Sequence, residues 1–399
     1  MVRKPIVISL ACTALWVGTG LAAGSVPEPF RGHDPESMFT IRYGDVDVIL
    51  RAMVVDIGRS TRQVADPAEA PTGTRMTTRV SRSTATEGNR FYFEEFKDNE
   101  EYRAVLHHVR LSLEAIPARM PLEHFTRTEQ LAYLLNLHNI ALIDELVRIY
   151  PERNLKQELD GKNSLLDTKV LNVAGVPLSL NDIRHTILVQ NYNRDPLVIY
   201  GLFEGVIGGP NVLKRAYTGE NVYRLLEANA KEFINSNRGS AIYKDRTFKV
   251  SSFYERNREF FPNFDAHLKV HLMEYMDYPE RQTLIGATAF RPDIDNWTIA
   301  DVYGSYWRVG GSFSTSQAAM LDAVVSTQPD GLGGTAVTNF SVAGSSYIAK
   351  TEPLATISSE QLELLTSLKN KEEAANLVRE GRVTVEELGT VETDAPNGE

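Results

Sequence analysis

The 399-residue sequence predicts an α+β fold, with a mainly helical core domain, short β-hairpins and a smaller β-containing C-terminal region. Apolar residues recur at helical spacing over residues 100–116, and residues 128–150 are apolar on nearly every side, which is typical of a central buried helix. Over residues 169–178, two short apolar runs flank a turn at Ala174-Gly175 and predict a hairpin. The composition shifts towards Gly, Ser and Thr after residue 279, which predicts a separate region there.

Start and stop signals order the elements of the core. Thr126 and Glu129 have the spacing of a capping box, in which Thr126 accepts from the Glu129 backbone N–H and the Glu129 carboxylate reaches back. Ser179 and Asp182 repeat this spacing and open a predicted helix through residue 188. The remaining predicted elements are a helix from Pro196 to the Gly-Gly-Pro break at 208–210, an amphipathic helix over 219–235, a hairpin over 241–250, and helices over 251–260 and 264–275.

Composition divides the chain into five parts. Arg3 and Lys4 precede an apolar run and small residues near Ala22, the pattern of a secretory signal that is removed, although an uncleaved anchor is the alternative. The apolar run is too short to span a bilayer, so we expect an exported protein of a bacterial periplasm or the extracellular medium, with no transmembrane segment after signal removal. The parts are a signal peptide (1–23), an N-terminal tether with short elements and a mobile loop (24–94), the core domain (95–279), a β-containing and helical C-terminal region (280–380) and a polar tail (381–399).

Charge and residue types exclude several functions. The formal net charge of -10 argues against nucleic acid as a partner, because a phosphate-backbone binder needs a dense basic face. Cys12 is the single cysteine and lies inside the predicted signal, so the mature chain has no disulfide and no thiol nucleophile. The sequence has no phosphate-binding lysine loop, dinucleotide glycine fingerprint, serine elbow or paired-histidine zinc helix. It therefore indicates no metal site and leaves the cofactor unknown.

The predicted central helix carries three polar side chains on an apolar background. Asn136 and Asn139 are three positions apart and share one helix face, whereas His138 projects to a different side. A buried asparagine costs about 1–3 kcal/mol when it is left unpaired, so both asparagines need partners. They either tie the helix to loop backbone or line a ligand site, and His138 is either a hydrogen-bonded core histidine or a member of that site.

Asp182 and His185 form a second polar group on the next predicted helix. Their spacing of three positions allows a carboxylate to orient an imidazole, as a general base or a metal ligand requires. Alternatively, Asp182 satisfies backbone donors at the start of the helix, and His185 is an ordinary interface residue.

Glu204 lies in an apolar stretch, next to Gly205 and the 208–210 break. Burial is expected to raise the pKa of this carboxyl, which suits a general acid or base. The alternative is a structural ion pair with an arginine such as Arg184 or Arg215.

These polar groups resemble motifs of the family called domain of unknown function 547. Its Asn-x-Tyr-Asn helix is similar to Asn136-Leu-His-Asn139, its Leu-x-x-Ile-Glu-His element to Leu180-Asn-Asp-Ile-Arg-His185, and its Ala-Tyr-Thr helix start to Ala216-Tyr-Thr218. The resemblance extends over about residues 95–277 and implies the fold of the core.

The departures from the family pattern exclude thiol chemistry. Many members carry a histidine and two cysteines where this chain has Ile199, Glu204 and Gly209. The family has no established reaction, so the resemblance implies a fold and a set of positions. Those positions are Asn136, Asn139 and His185, with Glu204 as a substitution.

The leading functional hypothesis is a non-thiol ligand-binding domain, whose polar pocket of Asn, His and Glu takes a small molecule, a glycan or a peptide. The first alternative is a hydrolase or transferase that uses His185 and Glu204 as an acid/base pair, with Asp182 to orient His185. The second is a structural envelope scaffold that meets a protein partner through the C-terminal region. Whether the protein is an enzyme stays open at this point.

Overall fold

The computed structural model describes residues 25–62, 83–84, 87–242, 247–278 and 280–302. Helices dominate these residues, and small sheets of two or three strands accompany them. The predicted α+β class is confirmed. The predicted signal peptide, most of the predicted C-terminal region and the polar tail lie outside the described residues and stay predictions.

The α-helices of the described residues are α1 (Gly44–Met53), α2 (Glu94–Lys97), α3 (Glu100–Glu114), α4 (Ile116–Arg119), α5 (Arg127–Ile149), α6 (Lys156–Asp160), α7 (Val189–Asn191), α8 (Val222–Ile234), α9 (Ser252–Arg256), α10 (Phe264–Tyr275) and α11 (Glu280–Ile285). Short 3₁₀ helices cover Glu28–Phe30, Leu122–His124, Leu165–Asp167, Pro196–Gly201 and Arg258–Phe260. Among the described residues, no helix has both the length and the apolar character needed to cross a membrane.

Three sheets are present in the described residues. The first two are antiparallel pairs, β1 (Val54–Val55) with β2 (Arg90–Phe91) and β3 (Leu171–Val173) with β4 (Val176–Leu178). The third has the order β5–β6–β7, in which β5 (Ser240–Ile242) is antiparallel and β7 (Ala289–Ile294) is parallel to β6 (Thr247–Ser251). The predicted hairpin at Ala174-Gly175 is therefore confirmed.

Helix α5 lies at the centre of the core, as its apolar sequence predicts. Its middle is almost wholly buried, and α3 packs against it. Thr126 accepts a hydrogen bond of 3.2 Å from the Glu129 backbone N–H, so the helix begins at the predicted cap. The Glu129 carboxylate does not reach back as predicted, because it accepts from the backbone N–H groups of Ile41 and Gly219, both at 3.0 Å. It therefore ties two distant segments to the start of α5.

The helix predicted to begin at Ser179-Asp182 contains a π-helix over Asp182–Leu188, which continues into α7. The Ser179 N–H donates to the Asp182 carboxylate at 2.6 Å, and the Asp182 N–H donates to the Ser179 hydroxyl at 3.1 Å. This reciprocal pair is the predicted capping signal. The wider turn of a π-helix is uncommon and often occurs at functional sites.

The helix predicted over 196–208 ends earlier than its Gly-Gly-Pro break. It is a 3₁₀ helix over Pro196–Gly201, after which Leu202 is extended. The Asn139 side chain binds the backbone of Gly201 and Phe203, so these groups are taken by a side chain instead of by a further helical turn. The prediction that the helix continues to 208 is wrong for this reason.

Residues 296–302, which we call the 296–302 segment, lie between two other stretches of the core. On one side, Ile299 and Trp297 exchange backbone hydrogen bonds with Arg153 and Leu155. On the other, its backbone binds residues 205, 207 and 208. The described part of the predicted C-terminal region thus packs directly against the loop that carries Glu204.

Candidate functional site

Glu204 is buried between two arginines. Arg184 donates from Nη2 to Oε1 at 3.0 Å, and Arg256 donates to Oε2 of the same carboxylate. Burial raises the pKa of Glu204, but Arg256 and Arg184 lower it further than burial raises it, so the carboxyl titrates below its usual range. The expectation of a raised pKa is wrong, and the alternative pairing with Arg184 is confirmed.

Arg256 links Glu204 to the 296–302 segment. It lies on α9, and its guanidinium carbon is 4.5 Å from the centroid of the Trp297 ring, the geometry of a cation–π contact. Its Nη1 donates to the Ser252 hydroxyl at 2.6 Å. Neither Arg256 nor Trp297 could be assigned to the site from the sequence, since each reaches it from a segment more than fifty residues away along the chain.

Asn139 holds the loop that leads to Glu204. Its Nδ2 donates to the Gly201 carbonyl oxygen at 2.8 Å, and its Oδ1 accepts from the Phe203 N–H at 3.0 Å. Both partners are backbone groups of the loop that leads directly to Glu204. The predicted requirement that the buried Asn139 amide be paired is therefore satisfied.

His138 lies directly behind this loop. Its Nδ1 is 3.0 Å from Asn139 Oδ1, which carries no hydrogen, so His138 donates from Nδ1. Burial, followed by the charge of Arg184, lowers the pKa of His138 to about 3, and the ring is therefore neutral at pH 7. With its proton on Nδ1, Nε2 presents a buried lone pair that has no hydrogen-bond partner in the described part of the chain.

His185 reaches the surface beside this buried group. Its side chain is 27% exposed, and Nδ1 is 3.3 Å from the Glu259 carboxylate, which is 51% exposed. The pair is close enough for an ion pair, with imperfect alignment for a hydrogen bond. The contact with His185 is the main cause that lowers the pKa of Glu259.

Asp182 does not contact His185 in the way that the spacing of three positions predicted. Burial raises its pKa, but Lys169 and Ser179 bind the carboxylate and bring the pKa below its usual range. The carboxylate next to His185 is Glu259. Asp182 instead accepts from backbone at the start of the helix, as the alternative interpretation predicted.

Asn136 also makes its contacts elsewhere. Its Nδ2 donates to the carbonyl oxygen of Tyr217 at 2.8 Å, and its Oδ1 accepts from the N–H of Tyr217 at 3.0 Å. Both functions of the amide are used to tie α5 to the chain before α8.

Within the described ranges, no set of three His, Cys, Asp or Glu side chains is arranged to hold a metal ion.

The structure thus brings together some of the predicted residues and adds others. We call the resulting set the Glu204 cluster: His138, Asn139, Arg184, His185, Glu204, Arg256, Glu259 and Trp297. It combines buried charges with one partly exposed imidazole–carboxylate pair.

A family model described as "Protein of unknown function, DUF547" matches residues 122–234. The resemblance to DUF547 is confirmed there. The DUF547 match contains the part of the cluster that lies on α5, on the π-helix and on the Glu204 loop, while α9 and the 296–302 segment lie beyond its end. No curated protein and no solved structure matches the chain.

Proposed function

We propose that the protein is a ligand-binding domain, and that its ligand binds at the exposed side of the Glu204 cluster, against His185 and Glu259. The observation that carries this proposal is a partly exposed imidazole–carboxylate pair next to the buried Arg184 and Glu204, with Arg256, 19% exposed, as the second arginine. Buried ion pairs are often no more stabilising than apolar residues of similar volume, so stability alone does not account for such a set. Charged groups with shifted pKa values beside a partly exposed side chain are typical of functional sites.

Two buried atoms give further support. Arg184 Nε and His138 Nε2 lack hydrogen-bond partners within the described residues, and they offer one donor and one acceptor. Most buried polar groups in proteins are paired, so an unpaired donor and acceptor in one cluster are consistent with a site that takes a polar group from outside. We infer a small molecule, a glycan or a peptide as the ligand class. The sequence pattern of residues 1–23 supports export to a periplasm or the medium as the place where it binds.

A second candidate function is acid/base catalysis. The contact between His185 and Glu259 favours it, because a carboxylate beside an imidazole is the usual means of orienting a general base. In this mechanism Glu259 orients His185, the role that the sequence predicted for Asp182. Glu204 acts as the charge partner of the arginines, since both of its oxygens are bound by guanidinium groups.

The binding proposal is tested by thermal shift of the mature chain against separate panels of neutral sugars, dipeptides and small carboxylic acids. A probe at 100 times its dissociation constant stabilises the folded state by about 2.7 kcal/mol. We expect at least one probe to raise the melting temperature, and the shift to disappear in His185→Gln and Glu259→Gln. His124→Gln is the matched control, because His124 is an exposed histidine on a short helix.

A shift that persists unchanged in both site variants would contradict the proposed location. For the catalytic candidate, turnover of chromogenic ester and peptide substrates is compared between His185→Ala and the His124→Ala control. Equal turnover in the two variants would rule out His185 as the base.

A further inference from the structure

Tyr150, at the end of α5, lies between two carboxyl groups. Its phenol oxygen is 2.5 Å from Glu94 Oε2 and 2.8 Å from Asp301 Oδ2. A phenol has one hydrogen, and an ionised carboxylate only accepts, so Tyr150 can donate to one of these oxygens but not to both. Two contacts of this length are satisfied together only when one carboxyl carries a proton and donates to the phenol oxygen.

The surroundings of Asp301 place the extra proton on this residue. Asp301 is 0% exposed, and the Arg153 Nη1 lies 2.8 Å from the oxygen that faces Tyr150. Burial raises the pKa of Asp301, Arg153 and Tyr150 lower it and Glu94 raises it, with a result of about 6. Burial and the charge of Asp301 raise the pKa of Tyr150, so the phenol itself stays protonated.

Glu94, the other carboxyl that contacts Tyr150, has different neighbours. Lys97 is 3.5 Å from Glu94 and exposed, and Glu95 and Tyr92 lie close to the group. Burial raises the pKa of Tyr92 to about 12 and also raises the pKa of Glu95. Arg153 is the guanidinium that binds Asp301 and Lys97 pairs with Glu94, so two carboxylates at Tyr150 would still compete for one phenol hydrogen.

We propose that Glu94, Tyr150 and Asp301 share one proton and form a pH-sensitive latch that holds the 296–302 segment in place. In the latched state, the Asp301 hydroxyl donates to the Tyr150 oxygen and Tyr150 donates to Glu94. When the proton leaves to solvent, one of the two carboxylates loses its hydrogen bond to Tyr150 and the end of the segment loosens.

The latch acts on the candidate site through the backbone. The Ala300 N–H donates to the Gly205 carbonyl at 2.8 Å, and the Gly208 N–H donates to the Asn296 carbonyl at 2.9 Å. Both bonds lie just after Glu204 along the chain, and Trp297 of the same segment stacks on Arg256. The latch itself is independent of the proposed function, whereas its control of ligand binding depends on that function.

The test uses the fluorescence of Trp297 between pH 5 and pH 8, without ligand. Trp16→Phe and Trp307→Phe in the full chain leave Trp297 as its single tryptophan. We expect a titration with a midpoint near pH 6, which Asp301→Asn abolishes because an amide donates to Tyr150 as the protonated acid does. Asp295→Asn is the matched control: this carboxylate lies 4.0 Å from Arg256, and we expect its removal to leave the midpoint unchanged.

A flat signal in the parent chain, or a midpoint that survives in Asp301→Asn, would overturn the latch. Hydrogen exchange of the parent chain gives a second measurement that needs no Asp301 variant to fold. After correction for intrinsic rates, we expect the Ala300 and Gly208 amides to lose protection by about tenfold between pH 5 and pH 7.5. Unchanged protection would contradict the latch, and neither readout depends on whether a ligand exists.

Discussion

At the scale of single residues, Glu204 is the group on which the candidate site depends. Glu204→Gln removes the charge that binds the buried Arg184 and the half-buried Arg256, and loss of one partner from a buried ion pair costs about 3–5 kcal/mol. We expect a loss of that size in urea unfolding. Glu259→Gln removes a carboxylate from a half-exposed pair, so its loss should stay below about 1 kcal/mol. Equal losses in the two variants would mean that Glu204 is not held as an ion-pair partner.

The need for partners at Asn136 and Asn139 follows from the sequence, but the identity of the partners does not. Both amides bind backbone groups, of Tyr217 and of Gly201 with Phe203, and a backbone carbonyl is the same chemical group at every position. No residue type therefore marks the partner. Asp182 was predicted to lie next to His185, but Glu259 occupies that place. The cause is similar, since spacing along one helix does not reveal a carboxylate that another helix brings to the same place.

At the scale of elements, Asn139 sets the end of the 3₁₀ helix Pro196–Gly201. Asn139→Ala leaves the Gly201 carbonyl and the Phe203 N–H without their partner, and each unpaired buried group costs about 1–3 kcal/mol. Asn136→Ala breaks a comparable pair of bonds at Tyr217 and serves as the control. Both variants should be destabilised, but only Asn139→Ala should lower hydrogen-exchange protection over residues 201–208. Loss of protection there in Asn136→Ala as well would contradict a local role for Asn139.

Long helices with a regular apolar pattern could be predicted to within a few residues, as α3, α5 and α8 illustrate. Their burial repeats over several turns, so the pattern is visible in the sequence. The π-helix Asp182–Leu188 and the early stop at Gly201 could not be predicted, because the local residues do not reveal the tertiary contacts around these elements.

At the scale of the whole molecule, the composition of the chain changes near residue 279, yet β7 and the 296–302 segment pair with the core. Composition describes only which residue types occur. The pairing is made by backbone groups, which every residue has, so composition does not predict it. The charge of Arg256 and the ring of Trp297 meet only because of that pairing. Five of the eight residues of the Glu204 cluster could therefore be named from the sequence, whereas Arg256, Glu259 and Trp297 required the folded chain.

The stability of the whole chain should fall as the solution becomes acidic, because two histidines are buried in neutral form. Burial lowers the pKa of His271 to about 4 and, with Arg184, that of His138 to about 3, both from an ordinary value of 6.5. Between those values the unfolded chain binds protons that the folded chain does not. Stability is therefore fully present above pH 6.5 and is lost as the pH falls, by up to about 1.4 kcal/mol per pH unit for each histidine. Asp301, whose raised pKa has the opposite sign, reduces this slope below pH 6.

His271→Gln isolates one of these contributions, since the hydrogen bond of 2.9 Å between His271 and Tyr200 lies outside the Glu204 cluster. Urea unfolding at steps between pH 4.5 and pH 7.5 should show a shallower dependence in this variant than in the parent chain, by about 1 kcal/mol per pH unit. The contribution of Asp301 cancels in the comparison because both chains contain it. His124→Gln, which removes an exposed histidine, should leave the slope unchanged. If His271→Gln also leaves it unchanged, His271 takes up its proton in the folded state as readily as in the unfolded state, and its burial does not contribute to acid lability.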